Sequence, residues 1–196
     1  MEAKASGKTS RRQRTKAHNR ETILAAARLV FAEMGFAAAT VRDIIRATPL
    51  ASGTFYNYFK SKEEVYQALR DEQALRLRPR LRDARLAAQS AEAFFSSSFH
   101  AFFAFVAENG RPRAAPEPFR MDSPEVLAGF AELKEDIAGA MARGLIPSAD
   151  ASFLAAAMAG VAFELGGQVK AGADVEEMTR FATQLFLGGV PALNKS

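Results

Sequence analysis

Cysteine is absent from the 196 residues, which removes disulfides, thiolate metal sites and cysteine nucleophiles together and suits a reducing cytoplasm. Histidine is scarce, at two residues, and no acidic pair stands at metal or acid–base spacing. Little is left to assemble a reaction centre, so an enzyme is the weakest class, and the pattern calls for no cofactor and no metal. Long apolar runs are missing as well. The longest, Phe153 to Phe163, is Ala-rich and closed by Glu164, well short of the roughly 18 residues that a membrane span needs. The N-terminus is basic with no apolar segment behind it, unlike a secretory signal. Together these gaps predict a cytoplasmic chain without a membrane partner.

Hydrophobic residues make up 48% of the chain, enough to build a sizeable core. Net charge is only +4, but it is unevenly placed. Residues 1–20 carry Lys4, Lys8, Arg11, Arg12, Arg14, Lys16 and Arg20 against Glu2 alone, a balance of +6 that leaves −2 for the rest. Positive charge gathered at one end fits a terminus that faces nucleic acid; a solvated tail that aids solubility is the plainer alternative.

Strand alternation is lacking, and helical periodicity runs through the chain. Ile23, Ala27, Val30, Phe31 and Met34 form a first stripe, stopped by Gly35. Thr40 with Asp43 caps a short helix, Val41 to Ala47, which Pro49 ends. A second short helix spans about Ser52 to Phe59. Ser61 and Glu64 form a capping box for a long helix that Pro79 interrupts or kinks. An aromatic helix with Phe94, Phe95, Phe99, Phe102, Phe103 and Phe105 runs from Ala91 to Glu108 and stops at Asn109-Gly110. Residues 111–124 hold four prolines and read as an irregular connection. Ser123-Pro124-Glu125 starts the next helix, with Val126, Phe130, Leu133, Ile137 and Met141 on one face up to Gly144. Asp150 or Ser148 opens another, through about Val169. Asp174 with Glu177 opens the last, whose stripe is Val175, Met178, Phe181, Leu185 and Phe186, ending at Gly188-Gly189. The expected architecture is all-α with about nine helices.

Two short helices joined by a tight turn, behind a basic arm, are the parts of a helix-turn-helix. In such a pair the second helix offers its first residues to the major groove. Here that helix reads Ala51-Ser52-Gly53-Thr54-Phe55-Tyr56-Asn57-Tyr58-Phe59. Gly53 lets the backbone approach a strand closely, and Ser52, Thr54 and Asn57 can hydrogen-bond bases or phosphates. Tyr58 offers a phenol to a phosphate oxygen, and Tyr56 reads equally well as a core aromatic. Lys62, in the first turn of the next helix, suits a phosphate near that helix N-terminus.

The stretch Thr40-Val41-Arg42-Asp43-Ile44-Ile45-Arg46, followed by Ser52-Gly53-Thr54-Phe55-Tyr56-Asn57-Tyr58-Phe59-Lys60-Ser61-Lys62-Glu63-Glu64, resembles the signature of the TetR family of transcriptional regulators. Ile23-Leu24-Ala25-Ala26-Ala27 and Phe31-Ala32-Glu33-Met34-Gly35-Phe36 extend the likeness to residues 18–69, about a quarter of the chain. The resemblance implies DNA contacts at Thr40, Ser52, Gly53, Thr54, Tyr58 and Lys62, and inward packing for Phe55 and Phe59. With Arg42 and Asn57 these residues form the candidate DNA-binding set. The turn departs from the family pattern, with Pro49 where glycine is usual and Ala51 where serine is usual. Proline cannot take a positive φ, so the turn must use another geometry.

The resemblance further implies that the C-terminal two-thirds supplies an effector cavity and a dimer face. The expected domains are a basic flexible arm (1–17), a DNA-binding domain (18–65, with the helix-turn-helix at about 40–59) and an effector-binding and dimerisation domain (66–196). Phe95, Phe99, Phe102 and Phe103, with His100, Met121 and Gln168, are candidates to line a pocket for a small apolar or aromatic effector; an ordinary aromatic core is the alternative. Leu154, Met158, Val161, Phe181, Leu185 and Phe186 are the candidate dimer face, or else complete a monomer core. The expected function is a homodimeric repressor released from a near-palindromic operator on double-stranded DNA by its effector. A ligand-independent DNA-binding protein of the same fold, or a helical carrier of apolar ligands, remain the alternatives.

Overall fold

The computed structural model describes residues 3–109, 123–169 and 174–194, with side chains from Arg11 onward in the first helix and up to Leu193 at the far end. Met121, Gly110 and the prolines at 112, 116 and 118 lie outside the described residues. Among the described residues there are eight α-helices and no strand. They are α1 (Ala3–Met34), α2 (Val41–Arg46), α3 (Ser52–Tyr56), α4 (Lys62–Ala87), α5 (Ala91–Asn109), α6 (Pro124–Ala142), α7 (Ala151–Gly166) and α8 (Val175–Gly189), with a 3-10 turn at Val190–Asn194. Two compact units result, and the chain passes from one to the other inside α4, between Arg70 and Asp71.

In the first unit α1 packs on α2, and Ile23, Leu24, Phe31, Ile44, Phe55, Phe59 and Val65 form a buried core. Burying each large apolar side chain contributes about 1.5–3 kcal/mol. Gly35 ends α1 at φ 77°, a left-handed turn in which its N–H donates to the Phe31 carbonyl at 3.0 Å. Met34, expected in the stripe, is exposed. The segment expected as a flexible arm is helical from Ala3. Arginine, lysine, glutamine and alanine are good helix formers, and no proline interrupts them.

In the second unit α5 packs on α8 and α7, and α6 packs on α7. Phe94, Phe95, Phe99 and Phe103 are essentially inaccessible, and their rings meet one another and that of Phe186 at tilted, stacked and edge-on angles. Gly166 is needed here, because a Cβ on it would lie 2.7 Å from Cε1 of Phe102. Phe102 is itself held edge-on by Phe163, with centroids 5.2 Å apart.

The α4–α6 seam is polar instead. The Ser123 hydroxyl donates to Asp71 while accepting from the Val126 N–H at 3.2 Å to cap α6. Arg78 bridges Glu125 and Glu132 at 2.5 Å each, and Arg85 meets Asp136 at 2.8 Å with both side chains 3% exposed. The hydrogen bond from Arg78 holds the Glu132 carboxyl below the usual carboxylate range, and burial pulls Arg85 below the usual guanidinium range. Helix α4 continues through Pro79 to Ala87, so the proline does not end it.

Candidate nucleic-acid interface

The two short helices are set by local chemistry. At the head of α2 the Thr40 side chain accepts from the Asp43 N–H at 3.3 Å. The Asp43 carboxylate in turn accepts from the Thr40 N–H at 2.9 Å and from its hydroxyl at 2.6 Å. This reciprocal cap draws the Asp43 carboxyl below its ordinary value, chiefly through the Thr40 hydroxyl. The hydroxyl proton of Thr40 is thus committed to Asp43.

Thr48, which is not among the sequence candidates, solves the problem posed by Pro49. Its hydroxyl donates to the Ile45 carbonyl at 2.8 Å and accepts from the Leu50 N–H at 3.2 Å. One side chain therefore spans the proline and closes the turn without glycine. Ala51 opens α3 with no side-chain cap. The helix is five residues long, Ser52–Tyr56, shorter than the expected eight because Asn57 and Tyr58 already leave helical register.

Phe55 and Phe59 point inward, at 1% and 5% exposure, and anchor α3 with ring centroids 6.2 Å apart. Opposite that anchor, Ser52, Gly53 and Asn57 are exposed, as are Thr40, Arg42 and Arg46. Thr54 is half-buried. A Cβ on Gly53 would meet nothing within 4 Å, so the protein's own packing gives no reason for a residue that costs about 1 kcal/mol relative to alanine in a helix. The two tyrosines divide in an unforeseen way. Tyr56 is 58% exposed, lying edge-on to Phe55 at 5.4 Å, whereas Tyr58 is half-buried and packs on the core. Exposure makes Tyr56 the better presented phenol.

Lys62 stands in the first turn of α4, as expected, but its ammonium is engaged within the protein. Its ammonium donates to the carbonyls of Phe36 at 2.8 Å, Ala37 at 3.3 Å and Ala39 at 2.9 Å, and lies 4.6 Å from the Phe36 ring centroid. Three donors meet three acceptors, so the side chain ties the α1–α2 turn to the start of α4. At that start, Ser61 caps the Glu64 N–H at 3.2 Å, while the Glu64 carboxylate reaches the Lys60 N–H at 2.7 Å.

The C-terminal candidates separate. Phe95, Phe99, Phe102 and Phe103 come together, but as close-packed core. His100 does not join them; it is exposed and faces Glu176 at 3.6 Å, because its place on α5 falls opposite the phenylalanine row. Gln168 is exposed beyond the end of α7. Of the expected dimer residues, Leu154, Met158 and Phe186 are buried within their own unit at 5%, 3% and 6% exposure. Val161 is half-buried, and Phe181 and Leu185 face outward. The inner face of α8 is Thr179, Ala182, Thr183 and Phe186. An open hollow of about 570 Å³ on α7 and α8 is lined by residues including Phe153, Leu154, Ala157, Val161, Leu185 and Leu193. Among the described residues no group of three or more acidic or histidine side chains could hold a metal, and no helix is long and apolar enough to cross a membrane.

A family model described as "Bacterial regulatory proteins, tetR family" matches residues 23–69. Over 56 residues the chain is 45% identical to the HTH-type transcriptional repressor KstR2 of Mycolicibacterium smegmatis, covering 28% of this chain and 27% of that one. Over 60 residues it is 40% identical to the HTH-type transcriptional repressor AcnR of Corynebacterium efficiens, covering 31% of this chain and 32% of that one. The match thus spans about a third or less of the curated relatives. Among solved structures, the fatty acid degradation regulator FadR of Bacillus halodurans superposes with a TM-score of 0.72 at 25% identity, covering 88% of this chain and 96% of that one. The regulator FadR of Bacillus subtilis, in complex with stearoyl-CoA, gives 0.71 at 21% identity, covering 87% and 98%.

Proposed function

The N-terminal domain of this chain belongs to the tetR family of bacterial regulatory proteins, and on that premise we propose that the protein is a DNA-binding transcriptional repressor released from its operator by a small apolar or aromatic effector. The observation that carries the reading is the outer surface of α2 and α3. Arg42, Arg46, Ser52, Gly53, Tyr56 and Asn57 are exposed over a platform of buried Ile44, Phe55 and Phe59. Short polar groups read base edges, arginines meet phosphates, and Gly53 leaves room for a DNA strand. Thr40 supports this surface as the cap of α2, and Thr54 and Tyr58 reach phosphate at its margins.

The protein acts as a homodimer. Phe153 at 78% exposure, with Phe181, Leu185 and Leu193 at 50–62%, forms an outward apolar face on α7, α8 and the turn that follows. Gly160, Gly188 and Gly189 have open space where a Cβ would stand. Bare glycines beside large apolar side chains suit the close approach of a second copy in a four-helix arrangement. A two-fold axis would set two α3 helices about one duplex turn apart, roughly 34–36 Å, for a near-palindromic site.

Release is a population shift between dimer arrangements, and a coupling of about 1–3 kcal/mol is enough. Helix α4 is the shared element, since its first turns lie in the unit that carries α3 and its later turns in the unit that carries α5. Long-chain acyl compounds are the effector class to test first, since the similarly folded regulator of Bacillus subtilis is seen with stearoyl-CoA. The close packing of the phenylalanine rings in the second unit is what favours the ligand-independent alternative.

The deciding experiment selects bound duplexes from a random library, then screens compounds for release. A palindromic consensus with at least one releasing compound is expected. No enriched duplex would remove the DNA-binding reading, and an enriched site that nothing releases would leave the ligand-independent one. Light scattering after size exclusion should give a dimer mass; a stable monomer would remove the two-fold operator.

A further inference from the structure

We propose that the N-terminal turns of α1 form a second surface for duplex DNA, one that grips backbone phosphates beside the bases read by α3. The proposal rests on the DNA-binding reading above and extends it to a segment outside the helix-turn-helix.

Four observations carry it. Residues 11–18 of α1 are exposed throughout, and the first buried residue among its described side chains is Ile23. The core of the first unit therefore draws nothing from residues 11–18. Cations recur at every fourth residue, Arg12, Lys16 and Arg20, and the sequence continues that spacing back to Lys8 and Lys4. In a helix this spacing makes one continuous row, each step rising about 6 Å. Like charges at this spacing repel and weaken the helix that bears them, a cost that a polyanion would relieve.

The row also begins in the right place. The Arg20 guanidinium lies 5.6 Å from the Phe59 ring centroid, and Phe59 packs on Phe55 of α3 at 6.2 Å. The basic row thus starts against the ring that anchors the reading helix. Its chemistry selects duplex DNA over a lipid surface. No leucine, isoleucine, valine or aromatic residue occurs between Ala3 and Thr22, so these turns have no apolar face to bury in a membrane. Contacts of this kind add affinity that depends on salt and not on sequence.

The test compares the full-length wild type with a quadruple variant, Arg11→Ala, Arg12→Ala, Arg14→Ala and Lys16→Ala, on the duplex selected by the wild type. Each phosphate contact adds about 0.9 to the slope of log affinity against log salt concentration. The variant should lose about two or more units of slope and bind at least tenfold more weakly at low salt. Its preference for the selected duplex over a scrambled one, measured at equal salt, should stay within about threefold of wild type. A variant with Arg12→Lys and Lys16→Arg should keep the wild-type slope. If the quadruple variant matches the wild-type slope and affinity, this proposal fails while DNA binding stands. If the wild type prefers no duplex, both fail together.

Discussion

Lys62 and Phe36, 26 positions apart, are joined twice: the ammonium donates to the Phe36 carbonyl at 2.8 Å and sits 4.6 Å from its ring centroid. With Ala37 and Ala39 also accepting from it, this lysine holds the end of α1 to the start of α4. A hydrogen bond to a charged group contributes about 1.5–3 kcal/mol net of exchange with water, and Lys62 is only half-buried. Lys62→Met should therefore lower unfolding stability by about 1–3 kcal/mol in urea titrations. The salt slope of operator binding should not change. A drop of about 0.9 in that slope would instead make Lys62 a phosphate contact.

Arg85 and Asp136 form a pair shielded from solvent, both side chains being 3% exposed. Asp136→Ala leaves the guanidinium buried without its partner and should cost about 3–5 kcal/mol. Arg85→Met with Asp136→Leu should cost far less than the single change, because an apolar pair of similar volume removes both desolvation penalties. Denaturant midpoints of the two variants and the wild type check this. Equal losses would show that the pair stabilises by attraction rather than by mutual compensation.

The Glu132 carboxyl is lowered by its bond to Arg78. A carboxyl with a depressed folded-state pKa contributes stability that is fully present above the ordinary carboxylate range and is lost as pH falls through the folded value. Wild type should therefore lose stability below about pH 4.5 faster than Glu132→Gln does. Their difference should be greatest near neutrality and shrink in acid. Parallel stability curves from pH 7 to pH 3 would contradict this assignment.

Thr48 holds the turn around Pro49 through two hydrogen bonds. Thr48→Val keeps the shape and removes both, so it should cost about 1 kcal/mol and weaken operator binding by loosening α3. Thr40→Ala should cost about 0.5–2 kcal/mol through loss of the α2 cap. Both are read from thermal or urea unfolding, and a null effect at Thr48 would mean that Pro49 alone sets the turn.

Thr179 and Thr183 present buried hydroxyls without a hydrogen-bond partner among the described residues, on one face of α8. Thr183→Val removes one at nearly constant volume, so stability should hold or rise by up to about 1 kcal/mol. A clear loss in the melting temperature would show that the hydroxyl is satisfied in solution.

What the sequence made legible was chiefly what short-range chemistry decides. Thr40, Ser123, Asp150 and Asp174 each cap the helix expected of them, since a cap needs only residues two or three places on. The matched blocks around the two short helices also reveal their fold class. Orientation was less legible. The stripe on α8 is real, but Phe181 and Leu185 face out while Thr179 and Thr183 face in. Periodicity marks an apolar face without saying which neighbour it meets. The carbonyl contacts of Lys62 and the whole part played by Thr48 escaped for opposite reasons. The carbonyls bound by Lys62 lie 23–26 residues away, whereas Thr48 makes a turn bond that a neighbouring proline hides. Of the dimer candidates, Leu154, Met158 and Phe186 are buried within one copy, and an apolar pattern does not distinguish a monomer's core from a surface between monomers.

The 2.7 Å gap between Phe102 and an imagined Cβ on Gly166 has a consequence for how this chain can change over generations. Phe163 stands edge-on to that ring, so a side chain at 166 requires the ring at 102 to shift, or one of the two phenylalanines to shrink. Descendants that carry a side chain at 166 should therefore tend to carry a smaller residue at 102 or 163 as well.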